Sequence, residues 1–448
     1  MKKLYILYLW FVLLLTFSLS FGFTIGQRSI EQDLNHTSHP DNLTFEQWRL
    51  IKTDIIQFEW KFIYLNRERL SSTITNKKFI NDIIAMIDEF PAIESNEAKE
   101  KLRGWGEEKP RILILTTKTG LKGRIYYFFN STLRGAKGIL KIGEHFFWAE
   151  DDTFYRYLAA QYSKHPFYEK RETDINEDVY TLFRRYNWTV DFRINSLQYR
   201  LPANLKHEAG EFPLKIYWAY NNELSKSIGL DFSQYLGIEI TAEIYRLREP
   251  LPRFTGSRSD ARGVIIRYQN EIIGAYIDRG RHYCFACSLE RRSLEDITGM
   301  EWGSWIDKYI NHSNEIEQKL KTMTPEQIIA THYEAVNSHN QTLAYACMSR
   351  RFLIGLLASN MDESYLFNDD YPQSYITGAK IIGIEEYKYG NPDINPPGDI
   401  TYKVSLELEV VQAHRNPGIR SGRHTYYLTV NKETENGGYR IIGGGTGP

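Results

Sequence analysis

The hydrophobic pattern opens on an uncharged, mostly apolar run from Leu4 to Phe23, preceded by Lys2 and Lys3 and closed by Gly22, Phe23 and Thr24. About 20 such residues span a hydrocarbon core as a helix, and the two cations hold the N-terminus on the cytoplasmic side. A secretory core of roughly 7 to 15 apolar residues is shorter, which favours an uncleaved N-in, C-out anchor. Thr16, Ser18 and Ser20 make the second half more polar, and Ser20-Phe21-Gly22 has a small-x-small form that a signal peptidase accepts after Gly22. Residues 1–26 are therefore a signal anchor or a signal peptide, and either one exports the downstream chain. Residues 27–51 show no sustained period and read as a polar spacer.

Downstream, the period alternates between 2 and 3.6. Ile56, Phe58, Trp60 and Phe62 alternate with polar neighbours as in a strand, and Thr75 or Asn76 then caps a helix with Ile80, Ile83, Ile84 and Ile87 on one stripe. Pro91 stops that stripe. Short strands are predicted at 112–116, 125–129, 139–142 and 145–148, with a closing helix carrying Phe154, Tyr157 and Leu158. Residues 52–165 thus form a small domain of one main helix on a strand meander. Residues 175–310 repeat the scheme. Val179, Leu182 and Phe183 mark a helix, Trp188 and Val190 open an extended segment, and 212–227 is a second helix. Strands are predicted at 238–247, 263–268, 272–277 and 282–288. After a polar helical connector at 311–323, Thr324-Pro325-Glu326-Gln327 combines an N-cap, Pro at N1 and Gln at N3. Ile328, Ile329, Tyr333 and Val336 form that helix's apolar face, a second helix carries Leu343, Ala344, Cys347 and Met348, and a loop extends to about Ser374. Four strands at 379–387, 400–412, 424–431 and 439–442 complete residues 324–448. The fold class is α+β, an N-terminal membrane helix followed by three small domains of helices packed on antiparallel sheets.

Arg185-Tyr186-Asn187-Trp188-Thr189-Val190, Gly229-Leu230-Asp231-Phe232-Ser233-Gln234-Tyr235-Leu236-Gly237 and Cys287-Ser288-Leu289 resemble the domain of unknown function family 4830, over about 178–292. That resemblance implies an exported bacterial protein and no particular activity. Cys284 and the insertion Pro250 to Arg262 depart from the family pattern. Thr324-Pro325-Glu326, Tyr333-Glu334-Ala335-Val336-Asn337 and the terminal Tyr439-Arg440-Ile441-Ile442-Gly443-Gly444-Gly445-Thr446-Gly447-Pro448 resemble the domain of unknown function family 4829, over about 325–448. This family is an exported branch of the nuclear transport factor two-like superfamily, and the resemblance implies a cone-shaped α+β domain.

Composition narrows the function classes. A formal net charge of -1 with 25% charged residues implies no polyanion partner such as nucleic acid. Three Cys in a chain of 448 residues are no disulfide framework. The aromatic content of 14% suits sheet-rich domains. Asn35-His36-Thr37 and Asn42-Leu43-Thr44 are formal glycosylation sequons, relevant only in a eukaryote.

Cys284-Phe285-Ala286-Cys287 is a formal redox motif, but on a strand its thiols point to opposite faces, so two separate, mostly buried thiols are expected. Gly443 to Gly447 lacks the Lys and following helix of a phosphate loop. Asn391 to Asn395 opens like a calcium loop, yet Pro396 and Tyr402 stand where Gly and a bidentate Glu are needed. Glu407 and Glu409 lie opposite the apolar face of Tyr402, Val404, Leu406, Leu408 and Val410, which turns them to solvent. His332 and His339, seven apart on the first helix of that domain, share a face and read as paired surface histidines, with an edge of the cavity mouth as the alternative. The cavity candidates are accordingly His332, Tyr333 and Glu407, without an assigned catalytic role and with no cofactor or metal.

These features point to an extracytoplasmic, non-enzymatic binding or interaction protein of a bacterial envelope, held at the membrane by its N-terminal helix. Its partner would be a protein, the cell wall or a small molecule. The alternative is an isomerase- or hydrolase-type enzyme using the C-terminal cavity.

Overall fold

A computed structural model describes residues 42–64, 67–105, 110–130, 137–161, 172–212, 214–255, 261–279, 286–358, 376–388, 398–410, 420–435 and 437–446. Lys2, Lys3, Leu4, Gly22, Phe23, Cys284 and the 391–395 loop lie outside them. No helix among the described residues is long and apolar enough to cross a membrane. The described residues form two compact units, one from residues up to 161 with Arg248–Pro250, the other from 172–247 and from Leu251 onward.

The first unit begins with α1 (Phe45–Ile51), where Thr44 and Gln47 cap each other reciprocally and Trp48 is buried. The polar spacer expected over 27–51 therefore ends before this helix, which is too short to display a period. Asn42 is also part of the fold: its side-chain oxygen accepts the Tyr126 hydroxyl at 2.9 Å. The chain continues through β1 (Ile55–Tyr64), β2 (Arg67–Ile74), α2 (Lys77–Glu89), β3 (Ala92–Ile93), α3 (Ser95–Trp105), β4 (Arg111–Thr117), β5 (Lys122–Phe129), β6 (Gly138–Ile142), β7 (His145–Ala149) and α4 (Thr153–Ala160). The seven strands make one antiparallel sheet in the order β2-β1-β4-β5-β6-β7-β3.

Asn76 caps α2, whose Phe79, Ile80, Ile83 and Ile87 join a core with Leu113, Leu115 and Ile125. On the opposite face Ala98 and Leu102 of α3 pack with Ile112, Ile114 and Tyr126. Both faces of β4 are thus covered, which explains its nearly continuous apolar sequence. The helix after Asn76 and the closing helix stand as expected, while α1 and α3 are additional; α3 escapes notice because its sequence is polar on average and buries only Ala98 and Leu102. Ile56, expected to share a face with Phe58 and Trp60, is exposed: the register shifts between Ile55 and Gln57 and turns Ile55 inward.

The second unit contains α5 (Glu177–Arg185), β8 (Val190–Arg200), α6 (Leu214–Lys226), β9 (Glu239–Leu247), β10 (Ala261–Tyr268) and β11 (Glu271–Arg279). These strands form an antiparallel sheet ordered β11-β10-β9-β8. Val264 and Ile266 face the cluster containing Tyr217 and Trp218 of α6, whereas Ile265, Tyr245 and Leu247 face Val179 and Phe183 of α5. The strand expected at 282–288 reduces, among described residues, to a bridge between Cys287 and Ile277, and β8 supplies the sheet's fourth strand. Cys287 and Cys347 are both buried, on separate elements.

Next come α7 (Leu294–Thr298), α8 (Trp302–Asp307), α9 (Glu315–Lys321), α10 (Pro325–Asn337), α11 (Gln341–Ala346) and α12 (Arg350–Ala358), then β12 (Ile376–Glu386), β13 (Ile400–Val410), β14 (Gly422–Lys432) and β15 (Tyr439–Gly445). The last four form an antiparallel sheet in sequence order. Thr324 and Gln327 make the predicted capping box with Pro325 in the first turn of α10. Ile328, Ile329, Tyr333 and Val336 share a core with Tyr402, Val404, Leu406 and Leu408. Helix α12 occupies the start of the stretch expected to be a loop.

The two four-stranded sheets fall within one compact unit. His207 N–H donates to Tyr309 at 2.7 Å, and His207 accepts from Asn311 N–H at 3.0 Å. The Glu208 carboxylate accepts from the side chains of Asn311 and Asn314, each at 2.8 Å. At Gly210, with φ +78°, a Cβ would lie 2.1 Å from the Thr342 carbonyl. The expected connector is therefore part of an interlocked seam.

Candidate functional site

Ser293 caps α7, and Gly299 ends it in the left-handed region at φ 64°. The chain then turns through Met300 and Glu301 into α8. Gly303 allows α8 to lie against the β14–β15 connection, since a Cβ there would sit 3.1 Å from the Glu433 carbonyl. A cleft of about 810 Å³ opens between these elements, a size within the range of small-molecule sites. Tyr220, Phe254, Met300 and Trp302 are its large apolar and aromatic lining residues, and Arg351, Lys432 and Glu435 are among its charged ones. Trp302 is wedged between Tyr220 and Trp305, at ring separations of 6.2 and 5.4 Å, whereas Phe254 is half exposed. Exposed Glu295 and Glu301 complete a rim bearing both signs of charge.

A buried charge quartet stands behind the cleft. Glu433 accepts from Arg350 at 3.0 Å and from the Arg351 N–H at 2.9 Å. Arg350 also bonds Glu317, which accepts from Arg440 at 2.8 Å. The formal charges of Glu317, Glu433, Arg350 and Arg440 cancel, as buried charge requires. Burial pushes the Glu317 pKa upward, but Arg350 and Arg440 outweigh it and hold the carboxyl below the usual range. This network joins α9, α12 and the β14–β15 hairpin, and thereby fixes the cleft's wall.

The residues singled out by sequence lie elsewhere: none of His332, Tyr333 and Glu407 lines the cleft. His332 is buried rather than a surface histidine, with Nδ1 3.0 Å from the Ala344 carbonyl oxygen and its ring 5.1 Å from Tyr333. Burial brings its pKa down to about 4, leaving it neutral near pH 7. Tyr333 is buried in the adjoining core, and Glu407 and Glu409 are exposed. Tyr402 donates to Glu326 at 2.8 Å.

Other buried charges are also paired. Arg267 binds Glu243 at 2.7 Å and Asp178 at 2.8 Å, Tyr245 donates to Glu243 at 3.0 Å, and Arg262 binds Asp278 at 2.9 Å. Among the described residues no group of His, Cys, Asp and Glu could hold a metal ion. The arrangement therefore offers apolar and charged contacts for a ligand, with its buried charges engaged in the fold.

The cleft residues carry little sequence signal because Tyr220, Trp302 and Arg351 come from separate elements. Arg440, charged within an apolar strand, is the one visible sign of the quartet. Residues 182–277 match the family described as Domain of unknown function (DUF4830). Residues 326–445 match the family described as Domain of unknown function (DUF4829). Among curated proteins, none matches the chain. The chain thus carries a DUF4830 match followed by a DUF4829 match, in the order its motifs indicated.

Proposed function

We propose that this is a non-enzymatic binding protein of a bacterial envelope, tethered at the extracytoplasmic face of the plasma membrane. The 810 Å³ cleft is its ligand site and carries the reading, because it combines aromatic lining residues with charges of both signs. Lys2 and Lys3 before the apolar run Leu4–Phe23 support export and tethering. In this reading the terminal sheet with α10 to α12 is a cone-shaped, nuclear transport factor two-like domain whose interior is filled by Tyr402, Leu406 and Tyr426. The ligand binds in the neighbouring seam.

The test is recovery of the full chain from source membranes with whatever accompanies it, beside a Ser304→Trp variant that fills the cleft mouth. A companion molecule recovered intact with the native chain and lost with the variant supports binding. Recovery of a converted product, or retention by the variant, refutes this assignment.

A further inference from the structure

Three large apolar side chains are exposed at one end of the seven-stranded sheet: Leu50 at 78%, Ile56 at 45% and Leu121 at 47%. Topology places them together. Ile55 pairs with Thr117, the Lys118 N–H donates to Asp54 at 2.9 Å, and Leu121 tips the β4–β5 turn. Helix α1 reaches the same end, since Asn42 bridges Arg124 near the start of β5. Single exposed apolar residues are ordinary, but a cluster at one end marks an interaction surface.

Two observations indicate what covers it. The apolar run Leu4–Phe23 lies upstream through residues 24–41, and the chain joins this unit at Asn42, on the end bearing the three side chains. Three cations at this end are paired, Arg49 at 3.8 Å from Glu46, Lys52 at 2.6 Å from Asp88 and Lys118 at 3.5 Å from Asp54, and exposed Lys122 stands beside Leu121. An apolar surface with mostly paired charges suits the headgroup layer of a bilayer without demanding anionic lipid.

We propose that this end of the sheet rests on the lipid surface, with Leu50, Ile56 and Leu121 inserted into its headgroup layer. The inference rests on the tethering reading above and adds an orientation to it. The apolar contact complements the tether, because a spanning helix holds this unit at the bilayer and raises the effective concentration of a contact that would be weak alone.

The test uses the full chain in phosphatidylcholine vesicles, with Cys284→Ser to remove one thiol and Leu121→Cys to carry an environment-sensitive fluorophore. Lys137→Cys, at the opposite end of the β5–β6 hairpin, is the control, and Leu50→Cys provides a second reading if the turn variant does not fold. Flotation is scored first. Expected are flotation, a blue-shifted emission at position 121 and its quenching by a nitroxide lipid, without either effect at 137 and without dependence on added phosphatidylglycerol. Flotation with equal emission at 121 and 137 overturns the docking alone. Absence of flotation overturns the tether and the docking with it. A shift that follows protein concentration rather than lipid assigns the surface to a second copy and likewise overturns the proposal.

Discussion

Replacing Glu317 with Gln tests whether the charge quartet holds the cleft wall. In the native protein Glu317 binds both Arg350 and Arg440, while Glu433 binds Arg350. The variant leaves two guanidinium groups against one carboxylate, and Arg440 loses its ion-pair contact. At an effective dielectric near 20, each contact at about 4 Å amounts to ~4 kcal/mol of Coulomb attraction, offset by the desolvation that Glu317 no longer suffers. Breaking one buried pair costs about 3–5 kcal/mol in comparable cases. A unit of this size loses roughly 2–4 °C per kcal/mol, so the expected fall in midpoint is on the order of 10 °C. Calorimetry at pH 7 measures it. The double variant Glu317→Leu with Arg440→Leu retains the neutral Arg350–Glu433 pair and should recover most of the loss. A Glu317→Gln effect below about 1 kcal/mol, or a double variant no more stable than Glu317→Gln, would refute the reasoning.

Acid should weaken the second unit through His332. Its pKa is about 4 in the fold against 6.5 unfolded, so the unfolded chain binds more protons between these values and stability falls as pH drops across that window. The contribution is about 3 kcal/mol, and His332→Gln should flatten the curve, as measured by urea unfolding at successive pH values. Burial holds His207 below its ordinary range too, with Arg350 and Lys215 acting in the same direction, so part of the slope should remain. Glu317 acts lower: its depressed pKa gives stability above about pH 4.5 that is lost as pH falls through its folded value. Gly210→Val forces a Cβ to 2.1 Å from the Thr342 carbonyl at φ +78°, and should destabilise the seam by about 3 kcal/mol or more in the same assay.

Local chemistry is legible in the sequence. Thr324, Pro325 and Gln327 announce α10 because a capping box is completed within four residues. The alternation from Tyr402 to Leu408 likewise places Glu407 on the exposed side. Other features depend on distant partners. Glu317 looks like one more charge in the polar run 311–321, yet its arginine partners stand 33 and 123 residues away. The spacing of His332 with His339 suggests a surface pair, whereas the carbonyl that receives His332 belongs to Ala344, 12 residues further along. The cleft is equally hidden, since it exists only where Trp302 meets the β14–β15 hairpin.

The most direct measurement places a benzophenone side chain at Ser304, on the exposed lining of the cleft, in the full chain within source membranes. Position 407, on an exposed sheet face outside the cleft, serves as the control. Irradiation should give a discrete adduct from position 304, identifiable by mass, and none from 407. No adduct at 304, or the same adducts from both positions, would contradict the assignment of the cleft as the binding site.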